Sequence, residues 1–265
     1  MNWTERGLRK VPEVTIFFWV IKILTTAMGE ATSDYSVHAI DPVIAVCLGF
    51  LAFVIAMAIQ LKTDRYKAPI YWLAVVMVAV FGTMCADVLH VRFKVPYEAS
   101  TTGFAIVLAA VFFTWYKVEG TLSIHSIFTL RRELFYWAAI LSTFAMGTAL
   151  GDLTAYVLHL GFFSSAIIFT VLFAIPGLAY RFAGLNGVVA FWTAYVLTRP
   201  MGASYADWLG VPESLGGLGW GRGTVAVIFT IPIVILVGYL TVTRVDLPAD
   251  QRELGGAGEL ATEPS

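Results

Sequence analysis

The chain contains eight long apolar stretches, which are separated by short runs of polar, charged and turn-forming residues. A helix that crosses a membrane needs roughly 20 mostly apolar residues. The stretches cover about 12–33, 42–61, 69–90, 101–118, 134–158, 161–181, 187–208 and 223–243. Strand-like alternation of apolar and polar residues is absent. The pattern therefore predicts an all-α, polytopic membrane protein with eight transmembrane helices.

Composition agrees with this prediction and excludes some functions. Hydrophobic residues make up 58% of the chain and charged residues 13%, whereas soluble domains carry about 25% charged residues. The net charge of -1 gives no indication of a nucleic-acid partner, so membrane lipid is the expected surrounding partner. The sequence has no G-x-x-x-x-G-K-[ST] phosphate-binding loop and no recognisable pair of nucleophile and base. We expect no nucleotide-driven pumping within this chain, no cofactor and no enzymatic activity.

A motif with the spacing W-x9-G-x4-D occurs four times. An aromatic residue precedes each Trp, and a small residue precedes each Asp. The copies are Trp19, Gly29 and Asp34; Trp72, Gly82 and Asp87; Trp137, Gly147 and Asp152; and Trp192, Gly202 and Asp207. Each copy accompanies two apolar stretches, so the sequence predicts four parallel helical-hairpin repeats at about 12–66, 67–131, 132–185 and 186–243.

The basic residues indicate how the repeats lie in the membrane. Most of them fall in the N-terminal tail and in the loops after even-numbered stretches, and cytoplasmic loops carry the excess of Lys and Arg. We therefore expect both termini to be cytoplasmic. Residues 1–11 are predicted to be a cytoplasmic tail, 12–245 the membrane domain and 246–265 a disordered cytoplasmic tail.

The motif Trp and Gly residues have ordinary structural interpretations. All four Trp should lie near the cytoplasmic face, where a tryptophan anchors a helix among the lipid headgroups; a binding role for the indole N–H is the alternative. Each motif Gly and the small residue four positions later form a face that allows two helices to approach closely in lipid.

The four motif Asp residues are harder to explain structurally. A carboxylate at membrane depth is costly unless it meets water, a cation or a partner. Four carboxylates at one depth would also repel one another, and a bound cation or shared protons would relieve that repulsion. The alternative is that each Asp caps a helix or loop at the outer boundary. The cation interpretation makes Asp34, Asp87, Asp152 and Asp207 the candidate ion pathway.

Other polar residues in the apolar stretches extend this hypothesis. Glu30 or a motif Asp is expected to neutralise Arg199 and to line the pathway with it, whereas Lys22 is expected to extend to the inner interface. Three histidines follow a motif Asp: His38, His90 and His159. They are candidate metal ligands, since imidazole and carboxylate together suit Mn²⁺, Zn²⁺ or Fe²⁺; the alternative is that they are solvated loop residues.

The four motif segments together resemble a known family. The stretches that carry the resemblance are VPEVTIFFWVIKILTTAMGEATSD, YWLAVVMVAVFGTMCAD, FYWAAILSTFAMGTALGD and FWTAYVLTRPMGASYADWLG. They are similar to a bacterial membrane-protein family that is defined by four tandem two-span repeats of unknown function, each with one characteristic Trp. The resemblance implies an eight-span protein of the bacterial inner membrane. It implies no substrate, and the histidines are not part of its pattern.

Three functions compete at this point. The leading hypothesis is a secondary transporter or channel for a small cation, either a divalent metal ion or one coupled to protons. A non-transporting scaffold or sensor subunit is the second; it predicts that the motif Asp residues can be neutralised without loss of function. An intramembrane aspartyl protease needs two Asp in unequal environments, which a regular set of four fits poorly.

Overall fold

The computed structural model describes residues 8–252, and these residues form a bundle of helices with no β-strand among them. The eight long helices are α1 (Ile16–Ala39), α2 (Pro42–Lys62), α3 (Ala68–Asp87), α4 (Tyr97–Glu119), α5 (Leu130–Asp152), α6 (Gly161–Phe182), α7 (Gly187–Gly210) and α8 (Arg222–Thr243). Helices α3 and α5 continue into π-helical turns at Val88–Arg92 and Leu153–Val157, and 3₁₀ turns occur at Ile124–Ser126 and Glu213–Leu215. The all-α prediction is confirmed.

Several helices begin where a polar side chain caps the first turn. The Thr15 hydroxyl accepts from the Phe18 N–H at the start of α1, and the Asp41 carboxylate accepts from the Val43 N–H at the start of α2 at 2.9 Å. Such side chains satisfy backbone donors that the helix itself leaves unpaired. Helix α4 ends at Gly120, whose φ of 70° suits a residue without Cβ.

Six helices are long and apolar enough to cross a membrane, which indicates a membrane protein. They differ in burial: the most apolar windows of α2, α4 and α8 are each 17% buried and that of α6 is 28% buried, against 56% for α3 and 67% for α5. Helices α1 and α7 fall outside this group. They carry Lys22, Glu30 and Arg199, which are buried within the protein.

The four motif helices form a closed central ring. Helix α1 packs against α3, α3 against α5, α5 against α7, and α7 returns to α1. The other four helices lie outside the ring, and each packs most extensively on the motif helix that follows it: α2 on α3, α4 on α5, α6 on α7 and α8 on α1. The prediction of compact helical hairpins is not confirmed, because the two helices of one repeat contact each other much less than they contact the next repeat.

The motif glycines lie where neighbouring ring helices approach most closely. A Cβ built on any of the four would lie 2.6 Å from the Cβ of a residue on the next ring helix. The contacts are Gly29 to Ala79, Gly82 to Phe144, Gly147 to Arg199 and Gly202 to Thr26. Each contacted residue stands three positions before the glycine of its own repeat. The same contact therefore recurs four times and closes the ring, as the close-approach interpretation of the glycines predicts.

The motif Trp residues make a second set of contacts around the ring. Each Trp packs against the aromatic residue that precedes the Trp of the preceding repeat. The ring centroids are 5.7 Å apart for Trp72 and Phe18, 5.6 Å for Trp137 and Tyr71, 6.1 Å for Trp192 and Tyr136, and 5.6 Å for Trp19 and Phe191. Trp72, Trp137 and Trp192 are buried. The prediction that they anchor helices among lipid headgroups is wrong for these three, because the neighbouring helix covers them.

Trp192 offers a direct test of this packing. Its indole N–H donates to the Leu122 carbonyl at 2.9 Å, so Trp192→Phe leaves that carbonyl without its partner and should lower the free energy of unfolding by about 1–3 kcal/mol. Trp220→Phe is the control because Trp220 is 51% exposed; it should stay within about 0.5 kcal/mol. Thermal unfolding of the detergent-solubilised protein measures both, and equal shifts would contradict the packing.

Residues 8–11 and 246–252 meet at the Trp end of the ring. The Arg9 side chain pairs with Asp250 at 3.0 Å, and Lys10 pairs with the buried Glu133 at 2.8 Å. The Tyr66 hydroxyl donates to the Asp246 carboxylate, whose pKa is raised by burial. Residues 8–11 and 246–252 therefore belong to the folded structure, which corrects the predicted tail boundaries. Residues 1–7 and 253–265 lie outside the described residues.

Candidate functional site

One face of each motif helix points to the centre of the ring. This face carries every fourth residue of the helix: the residues 11, 7 and 3 positions before the motif Gly and those 1 and 5 positions after it. Residues four apart share one face of a helix. They form successive layers from the Trp end: Phe18, Tyr71, Tyr136 and Phe191; Lys22, Val75, Ile140 and Tyr195; Thr26, Ala79, Phe144 and Arg199; Glu30, Thr83, Thr148 and Ala203; and the four motif Asp. The inner three layers are buried.

Arg199 crosses the centre and contacts all three other ring helices. Its guanidinium donates to Glu30 Oε2 at 2.5 Å, to the Thr148 hydroxyl at 2.6 Å and to the Thr26 carbonyl at 3.2 Å, and it also donates to the Thr83 hydroxyl. The side chain is fully buried and Glu30 is 3% exposed. The predicted neutralisation of Arg199 by Glu30 is confirmed. A buried guanidinium needs such partners because an isolated buried charge is very costly.

Sequence reasoning missed the two threonines. Thr83 and Thr148 occupy the position directly after the motif Gly, which is also the position of Glu30; in the fourth repeat it holds Ala203. Aligning the four repeats and following the face that carries Glu30 would have found them. Three equivalent positions thus supply three of the four oxygen atoms that accept hydrogen bonds from one arginine of the fourth repeat, and the Thr26 carbonyl supplies the fourth.

Lys22 is a second buried cation in the centre. Its Nζ lies 4.0 Å from the centroid of the Phe144 ring and 4.1 Å from that of Tyr195, and it forms no hydrogen bond with any other described residue. The side chain is 1% exposed, so the prediction that it reaches the inner interface is wrong. Helix α1 belongs to the ring and turns this position toward the axis, where aromatic faces stabilise the ammonium.

Three carboxylates gather above Arg199. Glu30, Asp34 and Asp207 each place an oxygen within 4.8 Å of the others. Asp34 also pairs with Arg222 at the start of α8 at 2.8 Å. Glu30 therefore belongs both to this cluster and to the Arg199 network. Carboxylate oxygens are the ligands that Mg²⁺, Ca²⁺ and Mn²⁺ prefer.

The other two motif Asp residues have separate partners. The Ser33 hydroxyl donates to Asp87 at 3.0 Å, and His90 Nδ1 lies 3.7 Å from an oxygen of Asp152. The repeat symmetry is thus broken at this layer, since only Asp34 and Asp207 share the carboxylate cluster with Glu30. None of the four motif carboxylates accepts a hydrogen bond from a backbone N–H of residues 8–252, so the helix-cap alternative has no support there.

The histidines do not join the carboxylate cluster. His38 and His159 are exposed, and the His38 ring contacts the backbone carbonyl of Asp34 at 2.6 Å. His90 is buried, and its Nε2 contacts the Ser100 hydroxyl at 2.6 Å. The structure therefore gives no support to a mixed imidazole and carboxylate site at His38 or His159, because His38 lies on an exposed face of the last turn of α1 and His159 follows the end of the π-helical turn after α5. His90 lies beside the Asp152 of the next repeat.

The chain was compared with families and with proteins of known role or structure. Curated proteins and solved structures give no match. The family described as "Repeat of Unknown Function (DUF347)" matches four times in tandem, at residues 17–66, 70–121, 135–185 and 190–246. Each match contains one W-x9-G-x4-D motif, and together the matches cover most of the chain. The protein therefore belongs to the DUF347 repeat family, of which it carries four copies.

Proposed function

We propose that the protein is a secondary transporter or channel for a small cation, which crosses the bacterial inner membrane with all eight long helices. The charges of α1 and α7 support their inclusion as spans, because these residues face the centre of the ring and not lipid. The end that carries Trp19 also carries most of the loop Lys and Arg residues, which supports a cytoplasmic location for this end and for both termini.

The observation that carries the proposal is that Glu30 takes part in both the carboxylate cluster and the Arg199 network. Its carboxylate lies in one cluster with Asp34 and Asp207, and it also neutralises Arg199. A cation that enters from the end opposite Trp19 meets three carboxylates, and it must compete there with Arg222 and Arg199. Binding at this cluster is therefore coupled to the buried network below it. The all-oxygen ligand set favours a hard divalent ion or a proton over zinc or iron.

The layers below the cluster form the barrier that transport must open. Arg199 and Lys22 place two buried basic side chains on the axis, and the Lys10–Glu133 pair lies at the Trp end. The four motif Asp are half-buried, whereas the three layers between them and the Trp end are buried. Release of Glu30 from Arg199 on cation binding is the step that would allow the ring helices to move.

A non-transporting scaffold or sensor is the second candidate, and the closed axis is the observation that favours it. In a centre that never opens, the charged residues would only stabilise the packing of the ring helices. In that case the cluster can lose its negative charge without functional consequence, which distinguishes the two candidates.

The test is the element content of bacteria that overproduce the protein, measured for Na, K, Mg, Ca, Mn, Fe, Co and Zn. We expect one hard cation to change severalfold, and the change to vanish in the double variant Asp34→Asn/Asp207→Asn. Glu98→Gln is the matched control, since Glu98 is exposed at the same end of the molecule and should leave the change intact.

Equal amounts of each variant in the membrane must be verified first. An unchanged element profile, together with no cation-driven pH change in proteoliposomes that contain the purified protein, would reject transport and favour the scaffold. A change that persists in the double variant would reject the carboxylate cluster as the site.

A further inference from the structure

A basic cavity lies at the Trp end, far along the helices from the carboxylates. It has a volume of about 1040 Å³ and lies between the beginning of α3 and the end of α8. Four cations line it: Arg65, Lys67, Arg244 and Arg252. Within residues 8–252, none of these four side chains forms an ion pair.

The charge of the cavity suits an anion. Among its described lining residues the one acid is Asp246, whose carboxylate accepts a hydrogen bond from Tyr66. Arg244 ends α8 with a φ of 55°, a left-handed conformation that ordinarily favours glycine. Here it places an arginine at the cavity.

Part of the cavity lining is apolar. Ala68, Pro69, Ile70 and Leu240 line it. Leu73 stands one turn after Pro69 on the same face of α3, and Val234 stands two turns before Thr241 on α8; both are exposed. The cavity thus combines a cationic rim with an apolar path toward the middle of the helices. A free phosphate would use only the rim, whereas a phospholipid uses both.

We infer that this cavity binds the phosphodiester headgroup of an anionic phospholipid, with an acyl chain along α3 and α8. Basic pockets between helices at the cytoplasmic surface bind such headgroups. The cavity joins the first turn of α3 to the last turn of α8, beside residues 246–252. A bound lipid would therefore contact a motif helix of the second repeat and the outer helix of the fourth. The inference does not depend on the transport proposal, because the two sites share no residue.

The test uses the purified full chain in neutral detergent, titrated with a fluorescent phosphatidylglycerol and, separately, with the matching phosphatidylcholine. We expect tighter binding of phosphatidylglycerol. Each cation near the headgroup contributes roughly a fivefold factor, so Lys67→Gln/Arg244→Gln should weaken phosphatidylglycerol binding about 25-fold and leave phosphatidylcholine binding unchanged. The control is Lys117→Gln/Arg181→Gln, which removes two exposed cations at the same end but outside the cavity; it should retain the preference.

Three results would overturn the inference. The two lipids bind equally; the control pair weakens binding as much as the cavity pair does; or inorganic phosphate at equal concentration displaces the lipid, which would assign the cavity to a free phosphate. Because all four side chains are exposed, the cavity variants should keep the unfolding temperature of the unmodified protein without lipid. That measurement separates lost binding from lost folding.

Discussion

Gly202→Ala is expected to lower the free energy of unfolding by about 2–3 kcal/mol, although alanine is the better helix former by about 1 kcal/mol. The new Cβ would lie 2.6 Å from the Thr26 Cβ and 2.9 Å from the Ala27 backbone nitrogen. Backbone atoms cannot turn aside as a flexible side chain can, so α1 and α7 must separate. Because the ring closes on itself, that separation also disturbs its other contacts.

The chain supplies matched controls for this prediction. Gly103 in α4 and Gly238 in α8 have no atom within 4 Å of a built Cβ, so Gly103→Ala and Gly238→Ala should be neutral or stabilising by up to about 1 kcal/mol. Thermal unfolding of the solubilised proteins compares all three. Gly202→Ala that unfolds at the same temperature as the controls would show that the ring helices do not approach as closely as described.

Glu30→Gln is expected to cost about 3–5 kcal/mol of stability, because it leaves the buried Arg199 guanidinium without its counter-ion. Arg199→Met should cost a similar amount, since it leaves the Glu30 carboxylate beside Asp34 and Asp207 with no cation from the ring. The double variant Glu30→Gln/Arg199→Met removes both charges. It should be clearly more stable than the sum of the single changes indicates, with a coupling energy of about 1–3 kcal/mol.

An ion pair with one exposed partner gives the comparison for this double-mutant cycle. Arg131, whose side chain is 66% exposed, pairs with Glu119, and Glu119 also pairs with Arg132, so Arg131→Gln should cost about 0–1 kcal/mol. Unfolding measurements on the unmodified protein, the two single variants and the double variant give the coupling energy. Additive losses for Glu30→Gln and Arg199→Met would mean that the two side chains do not interact, and would also remove the link between the carboxylate cluster and the buried layers.

Both predictions depend on residues that the repeat pattern alone only partly reveals. The glycines were identified from their spacing, because a small residue that recurs at one position of a membrane helix generally marks a close approach of two helices. Glu30 and Arg199 were identified as a pair because two opposite charges in apolar stretches must be compensated somewhere. Their threonine partners went unnoticed, since a threonine in a membrane helix has no such cost and usually bonds to its own backbone.

The amino-acid sequence by itself determined the class of protein and the fourfold plan. Length and apolarity of the stretches predict helices, and the repeated spacing predicts that equivalent positions occupy equivalent places. Those inferences need only the periodicity along the chain, so they can be made without knowing which residues pack against each helix. The family match and the recurring 2.6 Å glycine contacts agree with them.

Only the tertiary structure decided which surfaces meet. It places each outer helix on the following repeat, covers three of the four motif Trp, turns Lys22 toward the axis and brings Asp34 and Asp207, but not Asp87 and Asp152, to Glu30. Every one of these outcomes depends on a residue from another repeat across the ring. The physical reason is that burial and pairing are set by neighbours distant in sequence, whereas helix formation and repeat symmetry are set by neighbours along the chain.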